Sequence, residues 1–174
     1  MKILSIETSC DDTCISIMEA KGGMTNASFK ILANNSNSQI KIHIPYGGVY
    51  PVLAKREHAK NLPILLEKIF RQARISRKRS LGRRDGAGQR KFSAENFRAE
   101  SVRNSRLADL IAVTYGPGLE MCLWEGISFA KKLAKKWNVP LIPVNHMEGH
   151  ILSVFGKHKG KFSIPKIKTP AISL

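Results

Sequence analysis

Apolar and polar residues alternate over Lys2–Thr8 and again over Cys14–Glu19, on either side of the acidic pair Asp11-Asp12. That period of two predicts a β-hairpin with its tight end at the acidic turn. Ala27–Ala33 reads as a third strand. A loop rich in Asn and Ser should follow, then a turn at His43-Ile44-Pro45-Tyr46-Gly47-Gly48. From Pro51 the period becomes helical: Leu53, Leu62, Leu65, Leu66, Ile69 and Phe70 share a face, and Lys55, Arg56, Lys60, Glu67 and Lys68 lie largely opposite. Pro63 within this stretch predicts a kink or a break. Further on, Asp109–Thr114 is a short apolar strand and Gly116-Pro117-Gly118 a turn. The helix expected next runs to about Trp137, with Leu119, Leu123, Ile127, Ala130, Leu133 and Trp137 inward. Val139–Val144 reads as a strand whose prolines suit its ends or a sheet edge. A helix starts at Asn145, and Thr169–Leu174 resembles the beginning of another strand. A hairpin unit followed by β/α alternation predicts an α/β lobe, a mixed sheet flanked by helices.

Composition adds limits. The 174 residues have room for one domain or two small ones, and 43% apolar with 24% charged residues argues against wholesale disorder. No apolar run approaches membrane-spanning length, and Met1-Lys2-Ile3-Leu4 does not open a standard secretory signal. Cys10, Cys14 and Cys122 form no CxxC pair, so reduced thiols in a cytoplasmic protein are expected. The charge changes the picture more. The net value is +16, and Arg71 to Arg106 alone holds twelve basic and three acidic residues. Residues 74–106 therefore read as a basic flexible insertion, either a solvated loop or an arm that neutralises nucleic-acid phosphates.

Three places carry candidate chemistry. In Asn145-His146-Met147-Glu148-Gly149-His150, the histidines are i and i+4 and project from one helical face, the separation two ligands need to share a metal ion. Spacing alone leaves open two ordinary histidines, and a third ligand must come from elsewhere. Zincin proteases place glutamate directly after the first histidine; Met147 stands there, and Glu148 pairs better with Asn145 as a capping box. The second place is the hairpin tip, Glu7-Thr8-Ser9-Cys10-Asp11-Asp12-Thr13. Its Glu7, Ser9, Asp11 and Asp12 are candidates for handling a phosphate, a metal or a proton, although a plain turn uses the same residue types. The third, Gly116-Pro117-Gly118 before a helix, could bring a helix N-terminus to an anion.

Taken in order, Ile6-Glu7-Thr8-Ser9-Cys10-Asp11-Asp12-Thr13, Tyr46-Gly47-Gly48-Val49, Arg56-Glu57-His58, Tyr115-Gly116-Pro117-Gly118-Leu119 and Pro143–His150 resemble the TsaD family, the tRNA threonylcarbamoyltransferases formerly called O-sialoglycoprotein endopeptidases. The resemblance covers the chain outside the basic insertion. It implies an actin-like (ASKHA, ribonuclease H-like) N-terminal lobe over 1–174, reaching the start of a second lobe. It implies His146 and His150 as ligands of one divalent ion, Fe(2+) or else Zn(2+). The family's third ligand, an aspartate, and its Ser-Gly-Gly-His-Thr substrate loop would lie beyond Leu174, so residues 1–174 alone are expected to be inactive and to hold no further cofactor. The implied reaction moves a threonylcarbamoyl group from threonylcarbamoyl-AMP to the tRNA adenosine 3′ of the anticodon, with TsaB-like and TsaE-like subunits as partners and no membrane. A metallopeptidase, a non-catalytic partner subunit and a plain RNA-binding module are the alternatives. The chain departs from the family pattern at Val52, where Glu is common, at Met121 and Glu125, and in the length of the basic insertion.

Overall fold

A computed structural model describes residues 1–22, 28–73, 108–154, 156–157 and 161–163. The elements, in chain order, are β1 (Lys2–Glu7), β2 (Asp12–Lys21), β3 (Ser28–Ser38), α1 (Ile40–His43), a 3-10 turn (Ile44–Tyr46), α2 (Pro51–Gln72), β4 (Leu110–Gly116), α3 (Glu120–Trp137), β5 (Leu141–Asn145), α4 (His146–Ser153), β6 (Gly156–Lys157) and β7 (Lys161–Ser163). They build one sheet in the order β5-β4-β1-β2-β3-β7-β6. β1, β2 and β3 pair antiparallel, whereas β4 pairs parallel to β1 and β5 parallel to β4. Among the described residues β5 is an edge strand, which is how it tolerates Pro143 without an N–H to donate.

The alternation of β1 and β2 sorts their side chains to two faces. Leu4, Ile6, Ile15 and Ile17 are buried, and they meet Leu62, Leu65, Leu66 and Ile69 of α2 and Ala130 and Leu133 of α3 in one core. At about 1.5–3 kcal/mol for each fully buried large aliphatic side chain, this contact is what holds the helices to the sheet. Phe70 meets Trp137 edge to face, closing the far end of the helix pair.

Three expectations need correction. The third strand does not end near Ala33: it continues through Asn34-Asn35-Ser36-Asn37 to Ser38, paired with β2 as far as Asp12↔Ser38. Ladder hydrogen bonds override the poor strand propensity of Asn and Ser, and Asn35 and Gln72 exchange amide hydrogen bonds of 2.8 and 3.2 Å that tie the strand to α2. Nor does Pro63 break its helix, since α2 runs unbroken from Pro51 to Gln72. A proline inside a helix costs about 3 kcal/mol. The burial of Leu62, Leu65, Leu66 and Ile69 around it offsets that cost. The turn expected from His43 is a short helix and a 3-10 turn that ends at Gly47, whose φ of 70° suits glycine. The basic insertion of 74–106 and the strand expected at Thr169–Leu174 lie outside the described residues. Among the described residues no helix is long and apolar enough to cross a membrane.

Candidate functional site

Because β1, β4 and β5 run parallel, their C-terminal ends meet at one edge of the sheet, the usual place for a site in α/β proteins. Glu7 ends β1, Gly116 ends β4, and Asn145 ends β5. The loop after β1 is unusually well tied. The Thr8 hydroxyl donates to the Cys122 carbonyl at 2.9 Å and the Leu119 N–H to the Ser9 carbonyl at 2.7 Å. His58 Nε2 donates to the Cys10 carbonyl at 2.9 Å and the Gln39 N–H to the Asp11 carbonyl at 2.9 Å. Four consecutive loop residues are thus anchored to α3, its leading turn, α2 and the end of β3. A Cβ on Gly118 would stand 2.6 Å from the Ser9 carbonyl oxygen, so only glycine lets the Gly-Pro-Gly turn come this close. That turn is a brace for the loop.

Against the anchored loop stands α4. Asn145 caps it, its side-chain oxygen accepting from the Met147 N–H at 2.8 Å and the Glu148 N–H at 3.4 Å. Glu148 itself is exposed. The cap aims the first turn so that His146 reaches back to the loop: its Nδ1 lies 3.3 Å from Glu7 Oε2 and 3.2 Å from Ser9 Oγ. On its other side, His146 Nε2 faces His150 Nε2 at 3.0 Å. Glu7 is held in turn by the Ser9 N–H, 2.5 Å from Oε1, and by the Thr114 hydroxyl on Oε2. Burial pushes the Glu7 carboxyl up, but the hydrogen bonds from Ser9, Thr114 and His146 outweigh it and leave the group below the usual carboxylate range. It is a fixed anion at neutral pH.

The sequence candidates therefore separate. Glu7 and Ser9 join His146 and His150 in one cluster. The side chains of Asp11 and Asp12 make no hydrogen bond or ion pair with either histidine among the described residues. Thr114 belongs to the cluster and gave no local signal in the sequence. Among the described residues no group of three or more His, Cys, Asp or Glu could hold a metal ion. The donor chemistry nonetheless suits one. Two imidazole nitrogens each about 2.0–2.1 Å from a common ion stand roughly 2.9–3.4 Å apart at bond angles of about 90–110°. The facing nitrogens of His146 and His150 fall within that range.

His58, fully buried, was visible in the sequence only as part of a motif. The Thr13 hydroxyl sits 2.8 Å from its Nδ1 and Gln39 Nε2 3.3 Å from the same atom. Nδ1 therefore accepts and Nε2 donates, which defines a neutral imidazole. Burial holds its pKa below the ordinary 6.5. The unfolded chain takes up a proton near that value and the folded chain does so only at lower pH. This contribution to stability is complete above about pH 6.5 and declines as pH falls toward the folded value. We expect Tm of the wild type to drop more steeply than that of His58→Gln between pH 7.5 and 5.5. The difference is bounded by one proton, about 1.4 kcal/mol per pH unit. Parallel Tm curves for the two proteins would show that His58 does not titrate in this way. Burial also pushes the Cys14 and Cys122 thiols up to about 11, so neither is a reactive thiolate near neutral pH.

Comparison with known proteins agrees with the motifs. The profile of "TsaD: tRNA N6-adenosine threonylcarbamoyltransferase" matches residues 30–80 and 99–173, well over half of the chain. A tRNA N6-adenosine threonylcarbamoyltransferase of Buchnera aphidicola is 39% identical over 159 residues, covering 91% of this chain and 36% of the relative. Enzymes of that name from Fusobacterium nucleatum and Thermosipho melanesiensis are 38% and 36% identical over the whole chain, which spans 39% and 41% of their lengths. Among solved structures, a Pseudomonas aeruginosa protein described as similar to peptidase YEAZ superposes with a TM-score of 0.52 at 15% identity, covering 90% of this chain and 49% of that one. The lobe is an actin-like, ribonuclease H-like α/β fold. With 36–39% identity to relatives of one name and a profile match along both halves of the chain, the sequence belongs to the TsaD family of tRNA N6-adenosine threonylcarbamoyltransferases.

Proposed function

We propose that this chain is the N-terminal lobe of an enzyme that makes threonylcarbamoyladenosine in tRNA, and that His146 and His150 are two ligands of its divalent metal ion, iron or zinc. The observation that carries the reading is the facing pair of Nε2 atoms 3.0 Å apart beside Glu7, on a chain of this family. In the proposed reaction the exocyclic amine of the adenosine 3′ of the anticodon attacks the carbamoyl carbon of threonylcarbamoyl-AMP. The C–N bond forms, the bond to the phosphate oxygen breaks, and AMP leaves while the amine loses a proton. When bound, the ion supplies a Lewis acid that polarises the oxygen on which charge develops. The chain's own contribution is rigid placement: the Asn145 cap orients α4, and the braced loop keeps Glu7 and Ser9 against His146.

The spacing of the site argues against peptide hydrolysis, because Met147 holds the position of the zincin glutamate, while Glu148 gives only its backbone N–H to the Asn145 cap and keeps an exposed side chain. tRNA as partner is in keeping with the net charge of +16 and the basic run of 74–106. By the family resemblance, TsaB-like and TsaE-like subunits complete the machinery. The test is direct. The full-length gene product, supplied with threonylcarbamoyl-AMP and unmodified tRNA bearing an adenosine 3′ of the anticodon, should incorporate labelled threonine into RNA. Incorporation into peptide-free RNA must require that adenosine. Release of peptides from casein or glycophorin with no label in RNA would overturn the transferase reading in favour of the peptidase.

A further inference from the structure

We propose that Glu7 is a positioning residue for the histidine pair: its clamped carboxylate fixes His146 with the proton on Nδ1, so that the Nε2 lone pair faces His150. The proposal rests on the metal reading above and concerns a residue 139 positions away in sequence.

A carboxylate can only accept hydrogen bonds. Thr114 donates to Oε2 and the Ser9 N–H to Oε1, so two elements other than α4 fix the group before His146 arrives. The contact of 3.3 Å from Oε2 to His146 Nδ1 then requires the proton on Nδ1, and Ser9 Oγ at 3.2 Å shares the same donor. With that proton on Nδ1, the neutral form of the ring carries its lone pair on Nε2, the atom 3.0 Å from His150 Nε2. Two such nitrogens facing each other need a proton or a cation between them. Histidine ligands commonly donate their second N–H to a carboxylate, which fixes tautomer and ring orientation and makes the ligand nitrogen more basic. Ser9 and Thr114 act one step further out, since each holds Glu7. The Ser9 contact also gives the braced loop its purpose, because Gly118 and Leu119 determine where Ser9 stands.

The test uses the full-length protein and Co2+ alone as probe, with affinity read by competition against a coloured chelator. Glu7→Ala should weaken Co2+ binding about 10–100-fold, the usual effect of losing the partner of a ligating histidine. Glu7→Gln, which keeps an acceptor oxygen but loses the charge, should fall between Glu7→Ala and wild type. Thr114→Val should weaken binding less than Glu7→Ala does. Glu57→Gln removes a carboxylate on α2 that pairs with Lys60, and should leave affinity unchanged. In the metal-free protein, long-range 1H–15N spectra of the imidazoles should show His146 as the Nδ1–H tautomer in wild type and a mixture in Glu7→Ala. Wild-type affinity in Glu7→Ala, with binding lost in His146→Ala, would overturn the positioning role and leave the metal reading standing. Equal weakening by Glu57→Gln would also overturn it, since distant charge would then explain the effect. Affinity unchanged in His146→Ala would remove the metal reading itself. Should Glu7→Ala fail to fold, Glu7→Gln and Thr114→Val carry the same comparison.

Discussion

His146→Ala is expected to lower the divalent-metal affinity of the full-length protein by roughly 100-fold or more, and His150→Ala by a similar factor. Each change removes a nitrogen that would bond the ion, so its effect should exceed the 10–100-fold typical of losing a partner behind a ligand. The double variant should purify with essentially no metal and show no threonine transfer to tRNA. Stability should change little. His150 is exposed, and its loss should stay within about ±0.5 kcal/mol, whereas His146, partly buried at the start of α4, gives up hydrogen bonds to Glu7 and Ser9 worth about 1 kcal/mol. A Tm lowered by no more than a few degrees together with lost metal separates ligation from unfolding. Metal content of the double variant equal to that of wild type would end the ligand assignment.

Gly118→Ala is expected to destabilise the protein by about 1–3 kcal/mol. The new methyl would lie 2.6 Å from the Ser9 carbonyl oxygen and 2.8 Å from its Cβ. The nearer obstacle is backbone, and that oxygen also accepts from the Leu119 N–H at 2.7 Å. It has no rotamer by which to retreat, so the loop itself must shift. In a chain of this size each kcal/mol corresponds to roughly 2–4 °C in Tm. The shift should also carry Ser9 away from His146, so metal affinity falls together with Tm. Gly149→Ala is the contrast. Its Cβ meets nothing within 4 Å, and alanine gains about 1 kcal/mol of helix propensity over glycine. Equal Tm values for wild type and Gly118→Ala would mean that the close approach is not a constraint.

Much of this protein was legible in one dimension. The hairpin of β1 and β2, the inward face of α3 from Leu123 to Trp137, the edge placement of proline-bearing β5 and the Asn145 cap all follow from local rules. Side-chain period selects strand or helix, and a short polar side chain before a helix finds its free N–H groups. The metal-ligand spacing of His146 and His150 is local too, being one helical turn. The family was likewise readable, because its motifs are contiguous runs.

What local pattern could not supply was anything decided by contact across the sequence. Asn34–Ser38 is a strand because β2 offers a ladder, and Pro63 stays helical because the leucines on both sides of it are buried against the sheet. His58 stood out in the sequence only as the end of the Arg56-Glu57-His58 run, yet it is sealed under the hairpin loop by Thr13, Gln39 and Cys10. At the site, no spacing rule links Glu7, Thr114 and His146. They meet because β4 adds beside β1 and β5 beside β4, all parallel, which brings the ends of three distant segments to one sheet edge. Sequence alone determined which residues could do chemistry. The parallel pairing of β1, β4 and β5 decided which of them stand together, because it brings Glu7 within hydrogen-bonding distance of residues more than a hundred positions away.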